Sequence, residues 1–379
     1  MRKNVKLLIY SFSHFLMDFM CHYYVFYLIR AHFPEYAALT ILAYNFVAFA
    51  LQCPIGYLAD RFKGKYTAGL SFSLLLLGVI TGFALFPDNA VGAVAGLMIC
   101  AFANAGLHAG GCVAVMEPGE KGLKHGGVFI AAGALGVGLG DWLGIRQTAI
   151  FPAAAFAIPA AIFLLNLPLG EDYRAGAESE NASDAEKKAD MIPLILCLIA
   201  VFVRSYGGFL MTAGFMKLLA PLEETENYGF LKKMFPSVLG FIGKFLGGFL
   251  VVWSMRLFKA GQDLRRANYV YGAAALVLST VLLSGFGEHA VPCAVGIILF
   301  HSVMPVTLFE IYCILPRNPG FSLGLTTLLL FLGCLPTYVW TPGDTAKRIM
   351  LACLMFVGAV CLAIAGRLYK GKGTHVVLS

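Results

Sequence analysis

The chain has 379 residues, of which 59% are hydrophobic and only 13% are charged. Soluble domains carry about 25% charged residues, and apolar runs of roughly twenty residues recur along this chain, so the composition excludes an ordinary soluble protein. It predicts an all-α polytopic membrane protein, since a membrane β-barrel would show alternating segments of ~10 residues. The net charge of +7 does not indicate nucleic-acid binding, because Lys and Arg beside membrane helices set their orientation.

About twelve membrane spans are predicted, and we call them spans one to twelve in chain order. They cover roughly residues 5–29, 36–58, 66–86, 91–116, 126–146, 149–168, 191–219, 234–255, 268–286, 291–316, 321–340 and 347–368. The one long polar segment, Gly170 to Asp190, is acidic and poor in hydrophobic residues, which is typical of a flexible linker. The sequence therefore predicts an N-terminal six-helix bundle (1–169), a cytoplasmic linker (170–190) and a C-terminal six-helix bundle (191–379).

The basic residues predict the orientation of the chain. With the N-terminus inside, the inside segments hold 19 Lys and Arg residues and the outside segments hold 7. Because cytoplasmic loops carry the excess of Lys and Arg, both termini are expected in the cytoplasm, and the chain in the cytoplasmic (inner) membrane.

Span one carries an unusual polar stripe in the stretch SHFLMDFMCH. His14, Asp18 and His22 are spaced four residues apart, so they lie along one face of a helix. A charge at the centre of a membrane helix costs ~2.5–3.5 kcal/mol on insertion scales, and it normally faces the bundle interior or a wet cavity. Further ionisable residues fall inside other spans: His108, Arg204, Lys244, His301 and Glu310.

The two halves of the chain repeat one another. The stretch LHAGGCVAVME in span four corresponds to FHSVMPVTLFE in span ten, at an offset of 193 residues. Within this stretch, His108 corresponds to His301 and Glu117 to Glu310. Outside it, Arg61 corresponds to Arg256 at nearly the same offset. This pattern favours two parallel repeats of six spans, which is how transporters with two six-helix halves are built.

The sequence resembles the major facilitator superfamily in the stretch GYLADRFKGK, between spans two and three. The residues that fit the family pattern are Gly56, Leu58, Asp60, Arg61 and Lys65, while Gly64 is one residue out of register. The resemblance implies that this loop holds the transporter closed on the cytoplasmic side, with Gly56, Asp60 and Arg61 as gating residues. The alternative is an anchor that serves orientation only. The copy in the second half keeps Arg256 but has Met255 in place of the Asp, which predicts an asymmetric gate.

Within that superfamily, SHFLMD in span one and LHAGG in span four resemble the fosmidomycin-resistance-type transporters. That resemblance implies proton-coupled export of small drugs. Span five departs from the pattern of drug–proton antiporters, because GALGVGLGDWLG has spaced glycines but Asp141 where a Pro is expected. These glycines indicate close helix packing.

In the superfamily, spans one, four, seven and ten line the central cavity, and most of the ionisable residues fall on them. We expect His14 and Asp18 to handle protons. The residues expected to bind solute are Arg204, Lys244, His108, His301 and Glu310, which favours an anionic or zwitterionic solute because Arg matches carboxylate and phosphonate. The alternatives are static pairs, such as one between Asp18 and Arg204. Asn104 is expected to make a hydrogen bond between helices.

The sequence as a whole predicts a monomeric secondary active transporter that works in the lipid bilayer by alternating access. Proton-coupled efflux of a drug or organic anion is favoured, and the alternatives are proton-coupled import of an organic anion, or uniport. A lipid-directed membrane enzyme and a non-transporting scaffold are the readings from other classes. No cofactor and no metal are expected, since the ten Cys residues form no C-x-x-C and no nucleotide-binding loop occurs.

Overall fold

The computed structural model describes residues 3–62, 64–148, 157, 191–211, 213–225, 227–257 and 263–369. These residues form helices and connecting turns, and no strand occurs among them. Apart from residue 157, predicted span six lies outside the described residues, as does the linker at 170–190, so the division into two six-helix bundles stays a prediction.

Each of the other predicted spans corresponds to a helix. Their bounds are Lys3–Tyr24 with its extension to His32 for span one, Pro34–Arg61 for span two, Gly64–Val79 continued by Ile80–Leu85 for span three, Ala90–Val115 for span four, Gly119–Ile145 for span five, Met191–Phe209 for span seven, Tyr228–Leu257 for span eight, Leu264–Gly285 for span nine, Ala290–Ile314 for span ten, Pro319–Val339 for span eleven and Asp344–Leu368 for span twelve.

Spans seven and eight differ from the predicted bounds. The helix of span seven ends at Phe209, and the following apolar residues form a separate 3-10 helix, Gly214–Leu222. Span eight begins at Tyr228 and continues past Pro236 without ending. An apolar run alone does not reveal a break of this kind, because hydropathy reports burial in lipid and not backbone direction.

The helices identify a multi-pass membrane protein. Within the described residues, nine helices are long and apolar enough to cross a bilayer. The helix of span one is not among them, because the stripe of His14, Asp18 and His22 lowers its hydropathy. It nevertheless packs along span five and beside span four, inside the bundle.

Span five contacts span one through a face of glycines. A Cβ atom on Gly140 would lie 2.5 Å from the carbonyl oxygen of Phe19 and 2.9 Å from the amide nitrogen of Tyr23. Gly136 and Gly144 meet the backbone of span one in the same way. Small residues at such positions let two helix backbones approach closely, so the packing role predicted for these glycines is confirmed.

The two halves meet mainly along two helix pairs, span two with span eleven and span five with span eight. Glycines again form the contacts. Gly56 meets the backbone of Gly320, and a Cβ on Gly248 would lie 2.7 Å from the carbonyl oxygen of Leu123. Close backbone contact without long interlocking side chains suits an interface whose helices must slide or part.

We expect Gly140→Ala to lower the free energy of unfolding by about 1–3 kcal/mol, because the added methyl group has no room between spans one and five. Thermal unfolding of the purified protein in detergent measures the change. The matched control is Gly229→Ala in span eight, where a Cβ meets nothing within 4 Å; there the same substitution should be neutral or stabilising. Equal effects of the two substitutions would contradict the packing role.

Candidate functional site

The carboxylate of Asp18 lies at the centre of a buried polar cluster between spans one and four. Its Oδ2 is 3.1 Å from Nε2 of His14, and its Oδ1 is 3.8 Å from Nε2 of His108. The side-chain amide of Asn104 donates a hydrogen bond of 2.8 Å to Oδ1. The structure thus joins the predicted pair of His14 and Asp18, and confirms the predicted interhelical hydrogen bond of Asn104.

The other ring nitrogens of the two histidines fix which nitrogen carries the proton. Nδ1 of His14 is 2.8 Å from the carbonyl oxygen of Phe129, and Nδ1 of His108 is 2.8 Å from the carbonyl oxygen of Asn104. A carbonyl oxygen can only accept, so each Nδ1 carries a hydrogen and donates it. In the neutral imidazole, each Nε2 therefore presents a lone pair towards the carboxylate of Asp18.

This arrangement is favourable only when a positive charge lies among the three groups. Two lone pairs and a carboxylate repel one another unless an added proton or a metal ion binds between them. Donor atoms of His14, Asp18 and His108 all lie within 4.8 Å of one another, close enough to hold a metal ion. The sequence predicted the proton but not the metal, because His108 lies 90 residues from Asp18 in the chain.

A second acid–base pair links spans one and five. Nδ1 of His22 is 2.8 Å from Oδ1 of Asp141, and both side chains are about a quarter exposed. Asp141 was noted in the sequence only as a departure from an antiporter pattern. Its spacing after the glycines that face span one was a signal for this contact, since the same helix face continues to residue 141.

Arg204, Lys244 and His301 lie in the second half, and none of them forms an ion pair with an acid in the described part of the chain. Arg204 is only 3% exposed, and its Nε and Nη2 atoms have no hydrogen-bond partner within the described part of the chain. Its guanidinium lies 5.4 Å from the ring centroid of Phe300. Lys244 interacts electrostatically with Arg204 and Asp18, while Nδ1 of His301 is buried and unpartnered among the described residues.

The alternative in which Asp18 pairs with Arg204 does not match this structure, where Asp18 is paired with His14 and hydrogen-bonded to Asn104. An unpaired guanidinium inside a protein carries a desolvation penalty that a bound anion can offset. The three side chains are therefore suited to an anionic ligand.

Glu310 is held in a different environment from the other predicted solute-binding residues. Its side chain is fully buried, with Oε2 at 3.0 Å from Nε of Arg265 and Oε1 accepting a 2.7 Å hydrogen bond from Asn268. Its repeat equivalent Glu117 lies 3.1 Å from Nδ1 of His125. The structure does not bring Glu310 together with Arg204, and its predicted part in solute binding stays a prediction.

The last turn of the span-two helix contacts the first turn of span eleven through Asp60. Both carboxylate oxygens of Asp60 accept hydrogen bonds from the backbone, at 2.8 Å from Gly320 N and 2.9 Å from Phe321 N. These amides belong to the first turn of a helix, where unpaired N–H groups and the helix dipole favour a carboxylate. Arg61 instead lies over the ring of Tyr57, 3.4 Å from its centroid.

The equivalent contact of the second repeat is built differently. Nη2 of Arg256, at the end of span eight, lies 3.8 Å from Oε2 of Glu120, in the first turn of span five. Met255 stands in the position of the motif acid and is buried. One contact is thus a partly buried helix cap and the other an ion pair with an exposed arginine, and the predicted gating role of both stays a prediction.

No family model matches the sequence, and no curated protein matches it. Solved structures of transporters do share its fold. The E. coli fucose:proton symporter FucP superposes with a TM-score of 0.63 at 15% identity, over 97% of this chain and 98% of that chain. The chain has the major facilitator fold.

Two further structures with the major facilitator fold are similar to the chain. The human organic anion transporter MFSD10 gives a TM-score of 0.63 at 12% identity, over 97% of this chain and 99% of that chain. A bacterial homologue of the iron transporter ferroportin, in its outward-facing state, gives 0.59 at 14% identity, over 97% and 98%. At these identities the likeness establishes the fold, and the function has to be argued from the site.

We expect Asp60→Asn to loosen the contact between spans two and eleven, because an amide is a weaker acceptor for the two N–H groups than a carboxylate. Cys112 can report the change, since its thiol is 1% exposed and donates to the carbonyl oxygen of Pro319 across the same contact. In a variant that keeps only Cys112, maleimide should react several-fold faster after Asp60→Asn.

A variant that keeps only Cys197 is the matched control, because this thiol is buried inside the second half. Its labelling should not change with Asp60→Asn. Unchanged labelling of Cys112 would contradict the gating role, and faster labelling of both thiols would indicate general unfolding.

Proposed function

We propose that this protein is a secondary active transporter that moves a small anionic organic solute across the membrane by alternating access. The observation that carries the proposal is the set of Arg204, Lys244 and His301 in membrane spans. Atoms of Arg204 and His301 are buried without a hydrogen-bond partner among the described residues, and Lys244 adds a positive charge beside Arg204. Buried charges in membrane proteins are normally paired, and unpaired ones mark pathways for ions or substrates.

The contacts between the halves support alternating access. At the end of the bundle that is predicted to be cytoplasmic, the halves are joined by the Asp60 cap and the ion pair of Arg256 with Glu120. Such contacts are few and polar, and the surrounding glycines present smooth backbone surfaces. Rocking of one half against the other around a mid-membrane site needs an end that can both close and open.

We further propose that protons drive transport through Asp18 with His14. A transporter of this kind needs a group whose protonation changes between its two facing states, and the carboxylate of Asp18 is faced by several titratable groups. Those on its own helix are His14 and His22, His108 lies on span four, and Lys244 lies on span eight. Of these groups, Lys244 lies in the other half of the chain, so a movement of the halves changes its effect on the charge of Asp18.

The direction of transport rests on the resemblance to fosmidomycin-resistance-type transporters, which favours proton-coupled efflux. Import of an organic anion together with protons is the alternative, and uniport is a further one. The excess of basic residues in the predicted inside loops supports an inner-membrane location with both termini in the cytoplasm.

We expect Arg204→Gln to raise the KM for an anionic solute about 10- to 100-fold, because a desolvated charge-assisted contact is lost. Purified protein in liposomes, tested with a panel of organic anions, phosphonates and cationic drugs, measures uptake. The matched control is Arg348→Gln, since that arginine pairs with Glu288 at the end of the bundle that is predicted to face outside. A KM that stays unchanged in Arg204→Gln, or transport restricted to cations, would overturn the anion proposal.

We expect Asp18→Asn to abolish substrate-dependent proton flux while the protein stays folded, since Asn has nearly the same shape and cannot take up a proton. A pH-sensitive dye inside the liposomes reports the flux. The control is Asp88→Asn, a change at an exposed residue between spans three and four. Coupled flux that survives in Asp18→Asn would show that the proton binds elsewhere.

A further inference from the structure

We propose that His14, Asp18 and His108 form a binding site for a divalent transition-metal ion, with Asn104 beside it. No metal was expected from the sequence, where the two histidines lie on different spans. The inference rests on the arrangement of donor atoms and stands whether or not the chain transports an anion.

The donor atoms are oriented as in a metal site. Backbone carbonyls of Phe129 and Asn104 accept the Nδ1–H groups of His14 and His108, and each Nε2 lone pair is left facing Asp18. Metal-binding histidines almost always donate their second ring N–H to an oxygen in this way, which fixes the tautomer before the metal arrives.

The donor set selects the class of metal. Two imidazole nitrogens and a carboxylate suit Zn²⁺, Fe²⁺, Co²⁺ and similar first-row ions. Ca²⁺ takes six to eight oxygen ligands, and Mg²⁺ takes an octahedral shell made mainly of oxygens and water. The described donors supply too few oxygens for either ion.

A close backbone contact and a further donor lie beside the three ligands. Residue 133 of span five is glycine, and a Cβ there would collide with both Asp18 Oδ2 and His14 Nε2. The Oδ1 atom of Asn104 is buried and has no hydrogen-bond partner within the described residues. A half-turn of this amide would exchange its NH₂ group for its oxygen, and so offer a fourth ligand.

The second half provides an internal comparison. His301 occupies the position equivalent to His108, but its electrostatic neighbours are Lys244 and Arg204, and no carboxylate of the described residues is paired with it. Two neighbouring cationic side chains oppose the binding of a metal cation at His301. The same residue type in the same repeat position is therefore suited to a metal in one half only.

The test uses the full-length protein in detergent, without a gradient, titrated with Co²⁺ and Zn²⁺ by absorbance and calorimetry. We expect one Co²⁺ per chain, with visible d–d bands and no thiolate charge-transfer band, since the ligands are imidazole and carboxylate. His108→Gln should weaken binding at least ~10-fold, and Gly133→Ala should weaken it without removing a ligand.

His301→Gln is the matched control and should leave metal affinity unchanged. Size-exclusion profiles and thermal unfolding show whether each variant is folded; if His108→Gln does not fold, Gly133→Ala and Asn104→Leu give the same test. Absence of binding in the wild type, or binding that survives both His108→Gln and Gly133→Ala, would overturn the proposal. Because no transport is measured, this result is independent of the transport assays with Asp18→Asn and Arg204→Gln.

Discussion

The carboxylate of Asp18 sets the constraint on which the first half depends. A charge inside a membrane bundle must be matched by a counter-charge or by hydrogen bonds, and here the match comes from spans one and four together. His14 and His108 are themselves hydrogen-bonded to carbonyls of spans five and four. The contacts that stabilise the charge of Asp18 therefore come from three helices. A change in the charge of Asp18 therefore alters the balance of forces among all three.

Glycine makes this arrangement possible. Span five can lie close to span one only because its contact face lacks side chains, and the same feature leaves room beside the carboxylate at Gly133. The glycines at the contacts between halves have a different consequence. They bring backbones together without interlocking side chains, and the hydrogen bonds of Asp60 to Gly320 and Phe321 add a specific polar contact to this packing.

The spans, the glycine packing and the Asp60 contact could be predicted because each depends on local pattern or on a motif. The partners that buried charges find on other helices could not be predicted, since these contacts depend on how the helices are rotated against one another. Glu310 illustrates this limit: its repeat position suggested a cavity residue, yet its ion pair is with Arg265, 45 residues away. His22 and Asp141 were both visible in the sequence, but their pairing across 119 residues follows only once the glycine face of span five is placed against span one.

The polar groups of the two halves are suited to ligands of opposite charge. This difference affects how binding of one ligand influences binding of the other. The site at Asp18 is suited to a cation, while Arg204, Lys244 and His301 are suited to an anion. Lys244 interacts with Asp18, so a proton or metal ion that neutralises the carboxylate leaves the positive charge of Lys244 less compensated. An anion would then bind more tightly. By linkage, the anion would equally favour binding of the cation. Because the two ligands would bind cooperatively, the electrostatics of the described residues favour the alternative of importing an anion together with protons, in contrast to the efflux that the resemblance favours.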